Sequence, residues 1–323
     1  MTEPVLAVDG LSVGFDSDNG YTPVLEDVSV SLQAHRTLAV VGESGCGKSL
    51  TALAILGLLP PFARITSGRI GFDGHDLTAL DDAAMTDIRG NRISMIFQEP
   101  MSALNPVFSI GRQIGEALRL HKNLDAKAAR EVTIRALTAV GIPDPGSRVD
   151  DYPHQLSGGM RQRVMTAMAL ACDPDVLIAD EPTTALDVTI QAQIIDLMLD
   201  LQDRLGTAIF FISHDFGVVS HMADDIAVMY AGRVVEQGSA ADVIDGARHP
   251  YTQALLRTTP RIEKKVDVLP AIPGRVPGPD ERGTGCPFQP RCSLARDACR
   301  TQRPELVAVS PGHRAACHEI ERA

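Results

Sequence analysis

"RTLAVVGESGCGKSLTALAILGLL", Arg36 to Leu59, is the stretch on which the fold turns. Its opening residues run apolar into Gly42, the pattern of a strand buried on both faces. From Lys48 onward the apolar residues recur at helical spacing. Between the two lies "GESGCGKS", Gly42 to Ser49, which satisfies G-x-x-x-x-G-K followed by Ser or Thr. A strand, a glycine-rich turn and a helix in that order make a cradle for phosphate. The glycines let the chain curl until backbone N–H groups point inward at phosphate oxygens. Lys48 is then placed to reach the outer phosphates, and the Ser49 hydroxyl to hold Mg²⁺. Cys46, inside the loop, reads as a small filler pointing away from phosphate.

Working outward, "DVLIADEP", Asp175 to Pro182, supplies a second buried strand with Asp180 and Glu181 at its carboxyl end. Ligands bind at that edge of a parallel sheet. Asp180 suits the Mg²⁺ shell, and Glu181 suits a base that polarises an attacking water. "FFISHD", Phe210 to Asp215, places His214 at another strand end, and "IFQEP" does the same for Gln98. Taken singly, His214 and Gln98 read as ordinary satisfied polar groups. Four strand ends that deliver Lys, Asp-Glu, Gln and His to one edge read together as a site.

The rest of the chain sets the frame. Its 323 residues allow one large or two modest domains. Aromatics are only 4% with no Trp, so the cores must be aliphatic. A net charge of −11 argues against bulk nucleic-acid binding, which needs a basic face. The N-terminal "MTEPVLAVDG" has neither a basic region nor an apolar one, and no segment is long and apolar enough to span a bilayer. The expectation is a cytosolic chain whose membrane association comes through partners. Residues 5–42 read as strands with turns, and "GRIGFDG" and "ISMIFQ" as further strands. "SIGRQIGEALRL", "AKAAREVTIRALTAVGI" and "SGGMRQRVMTAMALAC" read as helices, a helical insertion in an α/β core. Strand character returns at "DVLIAD" and "AIFFIS", with a helix from Val188 to Leu205, and "IAVMYAGRVVEQG" reads as a strand pair. Beyond Arg248 the chain turns rich in Pro, Gly and Cys and predicts a small appended module without long elements.

"QLSGGMRQRV", Gln155 to Val164, has Ser157 as a natural N-cap followed by two glycines and a helical run. A helix start with bare N–H groups attracts anions, yet the phosphate loop is already complete elsewhere. With this stretch the residues resemble the nucleotide-binding subunit of an ABC transporter. The match runs from Met1 to about Gly246. It comprises the loop at 42–49, Gln98, "LSGG" at 156–159, Asp180 with Glu181, "TTALD" ending at Asp187, and His214.

The resemblance implies an α/β P-loop NTPase fold: a RecA-like core with an antiparallel β subdomain, an inserted helical subdomain and a small Cys-rich C-terminal extension. The implied boundaries are 1–98 with 173–246 for the core, 99–172 for the helical part and 247–323 for the extension. It implies ATP and Mg as ligands. Gly42, Ser44, Gly45, Cys46, Gly47, Lys48, Ser49 and Leu50 would hold nucleotide, with Ser49, Gln98 and Asp180 on Mg. Glu181, His214 and Gln98 would be catalytic. Ser157, Gly158 and Gly159 would face the γ-phosphate of ATP on a partner subunit paired head to tail, and Asp187 would be a further nucleotide-binding residue. Phe15 would stack on adenine, with Tyr21 as rival.

The resemblance narrows through Met160 in "LSGGMRQR", "QEPMSALNP", "TTALDVTIQAQI" and "HPYTQALL" to the dipeptide and oligopeptide importer branch. That implies an ATPase powering import of peptides or a related small solute. It also implies two transmembrane permeases, a second and paralogous ATPase, an extracytoplasmic solute-binding protein, and a place on the cytoplasmic face of the inner membrane. No nucleic acid is expected. The alternatives are a soluble ABC ATPase acting on nucleic acid and a non-hydrolysing regulatory partner; the charge and the intact loop and Glu181 count against them.

The tail carries Cys286, Cys292, Cys299 and Cys317 at spacings unlike a zinc ribbon. Four thiolates suit a 4Fe–4S cluster or Zn²⁺. Similar tails in the peptide branch can hold the cluster, and a Pro/Gly-rich segment needs such a tie to fold. An iron–sulfur site on these four residues is therefore expected, with zinc or plain reduced thiols as alternatives.

Overall fold

Continuous apolar runs in the sequence become strands whose residues are all buried, and alternating runs become strands with one wet face. In chain order the strands are β1 (Leu6–Ser17), β2 (Gly20–Leu32), β3 (Thr37–Val41), β4 (Ala63–Phe72), β5 (His75–Asp76) and β6 (Ile93–Ile96). They continue with β7 (Val176–Asp180), β8 (Ala208–Ser213), β9 (Asp225–Tyr230), β10 (Arg233–Ser239), β11 (Val307–Ser310) and β12 (His313–Ala315). The computed structural model describes residues 3–17, 20–98, 103–183, 188–258 and 271–320. The chain divides into two units: Met1–Leu32, Arg36–Thr78 and Phe211–Ala323 form the first, and Gln33–His35 with Ala79–Phe210 form the second.

In the first unit an antiparallel sheet has the order β2-β1-β4-β5. β1 sits in its middle, pairing Leu6 with both Leu32 and Phe72. Leu6, Val8, Leu11 and Val13 are buried along it. β3 carries the fully buried run "TLAVV" and pairs in parallel with β9, Val41 opposite Val228. β9 and β10 make the expected hairpin, closed at Ala231 and Gly232, both with left-handed φ. That conformation suits a two-residue turn whose twist matches the strands.

The tail after residue 270 holds only short elements, as its composition predicts, and two of them complete the sheet. β12 adds to β10 in antiparallel pairing, Glu236 opposite Ala315, and β11 adds to β12. The helix expected from Lys48 ends early, at Ile55, where Gly57 turns left-handed.

In the second unit β6 and β7 pair in parallel, with Ile96 opposite Ala179. Three helices expected from the sequence form as Ile110–Lys122, Ala126–Ala139 and Gly158–Leu170. Each begins on a side-chain cap, from Ser109, Asp125 and Ser157. They share an aliphatic core that includes Ile110, Ile114, Leu118, Leu137, Leu156 and Val164, with Cys172 sealed inside it. Burying each large aliphatic side chain contributes about 2 kcal/mol.

Candidate phosphate and carboxylate sites

The first unit carries the phosphate loop. β3 delivers Gly42, and the helix Lys48–Ile55 follows with Gly47 at its N-cap and no side-chain cap bond. Gly47 has φ 109°, and a Cβ there would lie 2.4 Å from Leu25 Cδ2. Gly42 is equally constrained, because a Cβ would meet the Met229 carbonyl at 2.3 Å. Gly42 is therefore required by close approach to backbone and Gly47 by its left-handed φ, not merely by the motif. Lys48 is only 5% exposed. Its Nζ donates to the carbonyls of Gly42 at 2.7 Å and Glu43 at 3.1 Å. A buried ammonium held by neutral carbonyls at an uncapped helix start leaves positive potential in the loop. The residues therefore fit a polyphosphate.

Ser44 and Gly45 are exposed, Gly47, Ser49 and Leu50 are half-buried, and Cys46 is fully buried. Burial pushes the Cys46 thiol up, which keeps it the neutral filler the sequence suggests. His214 follows β8 and is exposed. Phe15 on β1 is half-buried and packs edge-to-face on Phe62, centroids 5.2 Å apart. Tyr21, its rival, is exposed. Its ring lies over Gly14, its hydroxyl is 3.1 Å from Thr66 Oγ1, and the Arg64 guanidinium sits 5.2 Å from its centroid.

The second unit carries the acidic residues. Because β6 and β7 run parallel and in register, Gln98 and Glu181 leave at the same ends of their strands. The structure brings them together: Gln98 Nε2 donates to Glu181 Oε2 at 3.2 Å. Asp180 closes β7 and is 4% exposed, a buried carboxylate of the kind a hard cation takes. Glu181 has φ 45°, a left-handed conformation that costs a non-glycine residue about 1 kcal/mol. Its neighbour is held in place, since Gln162 Nε2 donates to the Pro182 carbonyl at 2.7 Å. Gln162 lies on the helix Gly158–Leu170 and is itself buried. The helix that starts at Gly158 is thus tied to the strand end bearing the carboxylates.

At that helix start the Ser157 hydroxyl accepts from the Met160 N–H at 3.3 Å. Ser157 and Gly158 are exposed, and Leu156 anchors the turn from below. Among the described residues nothing lies within 4 Å of a Cβ built on Gly158. Gly159 is half-buried, and a Cβ there would lie 3.7 Å from Ile190 Cγ2. Asp187 lies outside the described residues, as do Glu99 to Ser102 of "EPMSALNP".

The cysteine tail overturns an expectation. Among the described residues no group of three or more His, Cys, Asp or Glu is arranged to hold a metal ion. Cys286, Cys292, Cys299 and Cys317 are free thiols. Burial pushes Cys286 up to about 11, and it pushes Cys292 and Cys317 up as well. The iron–sulfur site, the zinc alternative and metal binding by this tail are corrected accordingly.

The physical error lay in the premise that the segment needs a metal to fold. It is tied to the rest of its unit by other means. Phe288 is buried against Tyr230 at 5.3 Å and Tyr251 at 5.4 Å. Arg303 reaches Glu26 at 2.5 Å, and Arg282 donates to the Val24 carbonyl at 2.9 Å. His313 Nε2 lies 2.8 Å from the buried Glu236 carboxylate.

Sequence reasoning also passed over Gln162, Glu43, Tyr251 and Arg291. Gln162, Glu43 and Tyr251 lie inside quoted motifs, and the burial of Gln162 and Tyr251 is the signal that the motifs alone do not give. Arg291 carries no local signal.

Among the described residues no helix is long and apolar enough to cross a membrane. Residues 25–184 match the family model described as ABC transporter, and residues 235–299 match the oligopeptide/dipeptide transporter C-terminal region. The chain is 49% identical over 316 residues to the dipeptide transport ATP-binding protein DppD of Bacillus subtilis, covering 98% of this chain and 94% of that one. It is 46% identical over 314 residues to DppD of Escherichia coli, covering 97% and 96%. Among solved structures it resembles a dimeric post-hydrolysis state of the ATP-binding cassette MJ0796 bound to ADP and Pi. That likeness has a TM-score of 0.66 at 24% identity over 73% of this chain and 98% of that one. It also resembles cbiO1 from Clostridium perfringens, with a TM-score of 0.64 and 28% identity over 76% and 92%.

Proposed function

The chain belongs to the ABC transporter ATP-binding proteins, in the branch that carries the oligopeptide/dipeptide transporter C-terminal region, and on that premise we propose that it powers uptake of peptides or similar small solutes. It is an ATPase with the α/β fold of the P-loop cassettes. What supports the peptide reading is near-full-length identity of almost half to dipeptide transport ATP-binding proteins, with an intact phosphate loop and Glu181.

In this reading the loop amides and Lys48 hold the phosphates of ATP, and Ser49, Gln98 and Asp180 hold Mg²⁺. When bound, Mg²⁺ neutralises charge on the phosphates and orients them. Glu181, oriented by the Gln98 amide, draws the proton from the attacking water. His214 stands at the outer phosphate, and Phe15 stacks on adenine, with Tyr21 as the alternative. The helix tip at Ser157, Gly158 and Gly159 serves the nucleotide of a second cassette, and Asp187 is a further nucleotide-binding residue. Residues 1–98 with 173–246 form the ATP-binding core, 99–172 the helical part and 247–323 the extension. The working partners are two permeases, a sister ATPase and, indirectly, a solute-binding protein, with this subunit peripheral at the cytoplasmic face of the cell membrane.

Disrupting the gene and following uptake of labelled dipeptides and longer peptides tests the proposal. Uptake should vanish and return with the wild-type chain but not with Glu181→Gln. Undiminished peptide uptake in the disruptant contradicts it.

A further inference from the structure

The phosphate loop carries an acidic residue that the motif does not require. Glu43 is its second residue, on the turn that must accept strongly anionic phosphates. A carboxylate there acts against binding in two ways. It repels phosphate across a partly buried space where charges are poorly screened. It also competes for Lys48, whose Nζ already donates to the main-chain carbonyl of Glu43 at 3.1 Å. A charge-assisted bond to the side chain of the same residue would be stronger than that one.

The C-terminal extension removes both effects. Arg291 presents its guanidinium fork to Glu43: Nη1 donates to Oε2 at 2.7 Å and Nη2 to Oε1 at 2.9 Å. The Arg291 side chain is only 4% exposed. It is fixed further by donating from Nε to the Pro273 carbonyl at 2.7 Å and from Nη1 to the Tyr230 hydroxyl at 3.3 Å. The Glu43 carboxylate in turn holds the guanidinium firmly in its charged form. A second contact comes from "HPYTQALL", where the Tyr251 hydroxyl accepts from the Glu43 N–H at 2.9 Å. Tyr251 is fully buried against Tyr230 and Phe288. Both the side chain and the backbone of Glu43 are thus fixed by residues more than two hundred positions away.

We propose that Arg291 is a positioning residue of the nucleotide site: it sequesters the Glu43 carboxylate so that Lys48 stays free for the phosphates of ATP. The extension is on this account a working part of the ATP site. The inference rests on the reading of Gly42 to Ser49 as the ATP-binding loop.

The test is equilibrium binding of a non-hydrolysable ATP analogue to the full chain, with ATPase kinetics alongside. Arg291→Gln weakens binding about tenfold, because an unpaired carboxylate now faces the phosphates, while kcat at saturating ATP stays within about twofold. In a Glu43→Gln background the same substitution changes the affinity by less than about twofold, since no carboxylate remains to be sequestered. Arg291→Lys, which keeps the charge but not the fork, falls between. Equal losses in both backgrounds mean Arg291 is merely structural and overturn the proposal, as does unchanged affinity in Arg291→Gln. If Arg291→Gln does not fold, Arg291→Lys in the two backgrounds carries the same comparison. Lys48→Ala is the control for the underlying reading. Retained binding in Lys48→Ala sinks the loop assignment itself. Lost binding there with intact binding in Arg291→Gln sinks the clamp alone.

Discussion

Glu181 is held in a strained left-handed conformation at the end of a buried strand, with its carboxylate against the Gln98 amide. Strain of that kind persists only where neighbours enforce it, and here the Gln162 bond to Pro182 does so. Replacing Glu181 by Gln removes the proton acceptor and keeps the shape. Turnover should fall by roughly a hundredfold or more while ATP affinity is retained; rapid turnover in single-cycle kinetics takes Glu181 out of the chemistry. A second residue gives a pH signature. His249 is buried in the aromatic cluster and its Nδ1 accepts from the Tyr251 N–H at 3.0 Å. Burial pushes its pKa down to about 3 from 6.5. The unfolded chain therefore takes up this proton first, and stability falls as pH drops from 6.5 towards 3. The urea midpoint should decline over that window less steeply in His249→Gln than in the wild type; parallel curves contradict the assignment. At this scale Lys48, Asp180 and Glu181 were legible because spacing and strand ends locate them. The Glu43–Arg291 pair was not, since nothing local in "CPFQPRC" says which carboxylate an arginine will meet.

Among elements, the buried runs "TLAVV", "VLIAD" and "AIFFIS" became strands because apolar residues throughout leave no wet face for a helix's polar side. The capped helices were legible for the complementary reason, a cap followed by period 3.6. The failures were at ends and in the tail. The helix from Lys48 stops at Ile55 although apolar residues continue, because Gly57 takes the left-handed turn. β11 and β12 were not read individually within a segment expected to hold only short elements, since they gain their stability by extending β10. The helix Gly158–Leu170 makes the sharpest prediction at this scale. Ser157 at its tip is exposed, so Ser157→Arg leaves the chain's own ATP affinity within about twofold but lowers turnover of the paired complex by at least about tenfold. Loss of the chain's own binding in an isotherm on the isolated subunit places the tip in the wrong site.

For the molecule as a whole, an acidic, aromatic-poor chain gave no hint of how its tail is secured. The tail's four cysteines invited a metal, and the structure answers instead with Phe288, Arg282, Arg303 and the buried Glu236–His313 pair. Those contacts join residues far apart in sequence, which a reading of local spacing cannot see. They also accompany the contact of Arg291 with Glu43 in the phosphate loop. The central claim is that the loop of one cassette and the helix tip of another complete a single site. Steady-state ATPase rate per molecule, followed from the dispersed subunit to the assembled transporter at saturating ATP, tests it directly. The account predicts a rise of about a hundredfold or more on assembly, in line with the catalysis that completed anion contacts supply. An equal rate per molecule in the dispersed and assembled states contradicts it.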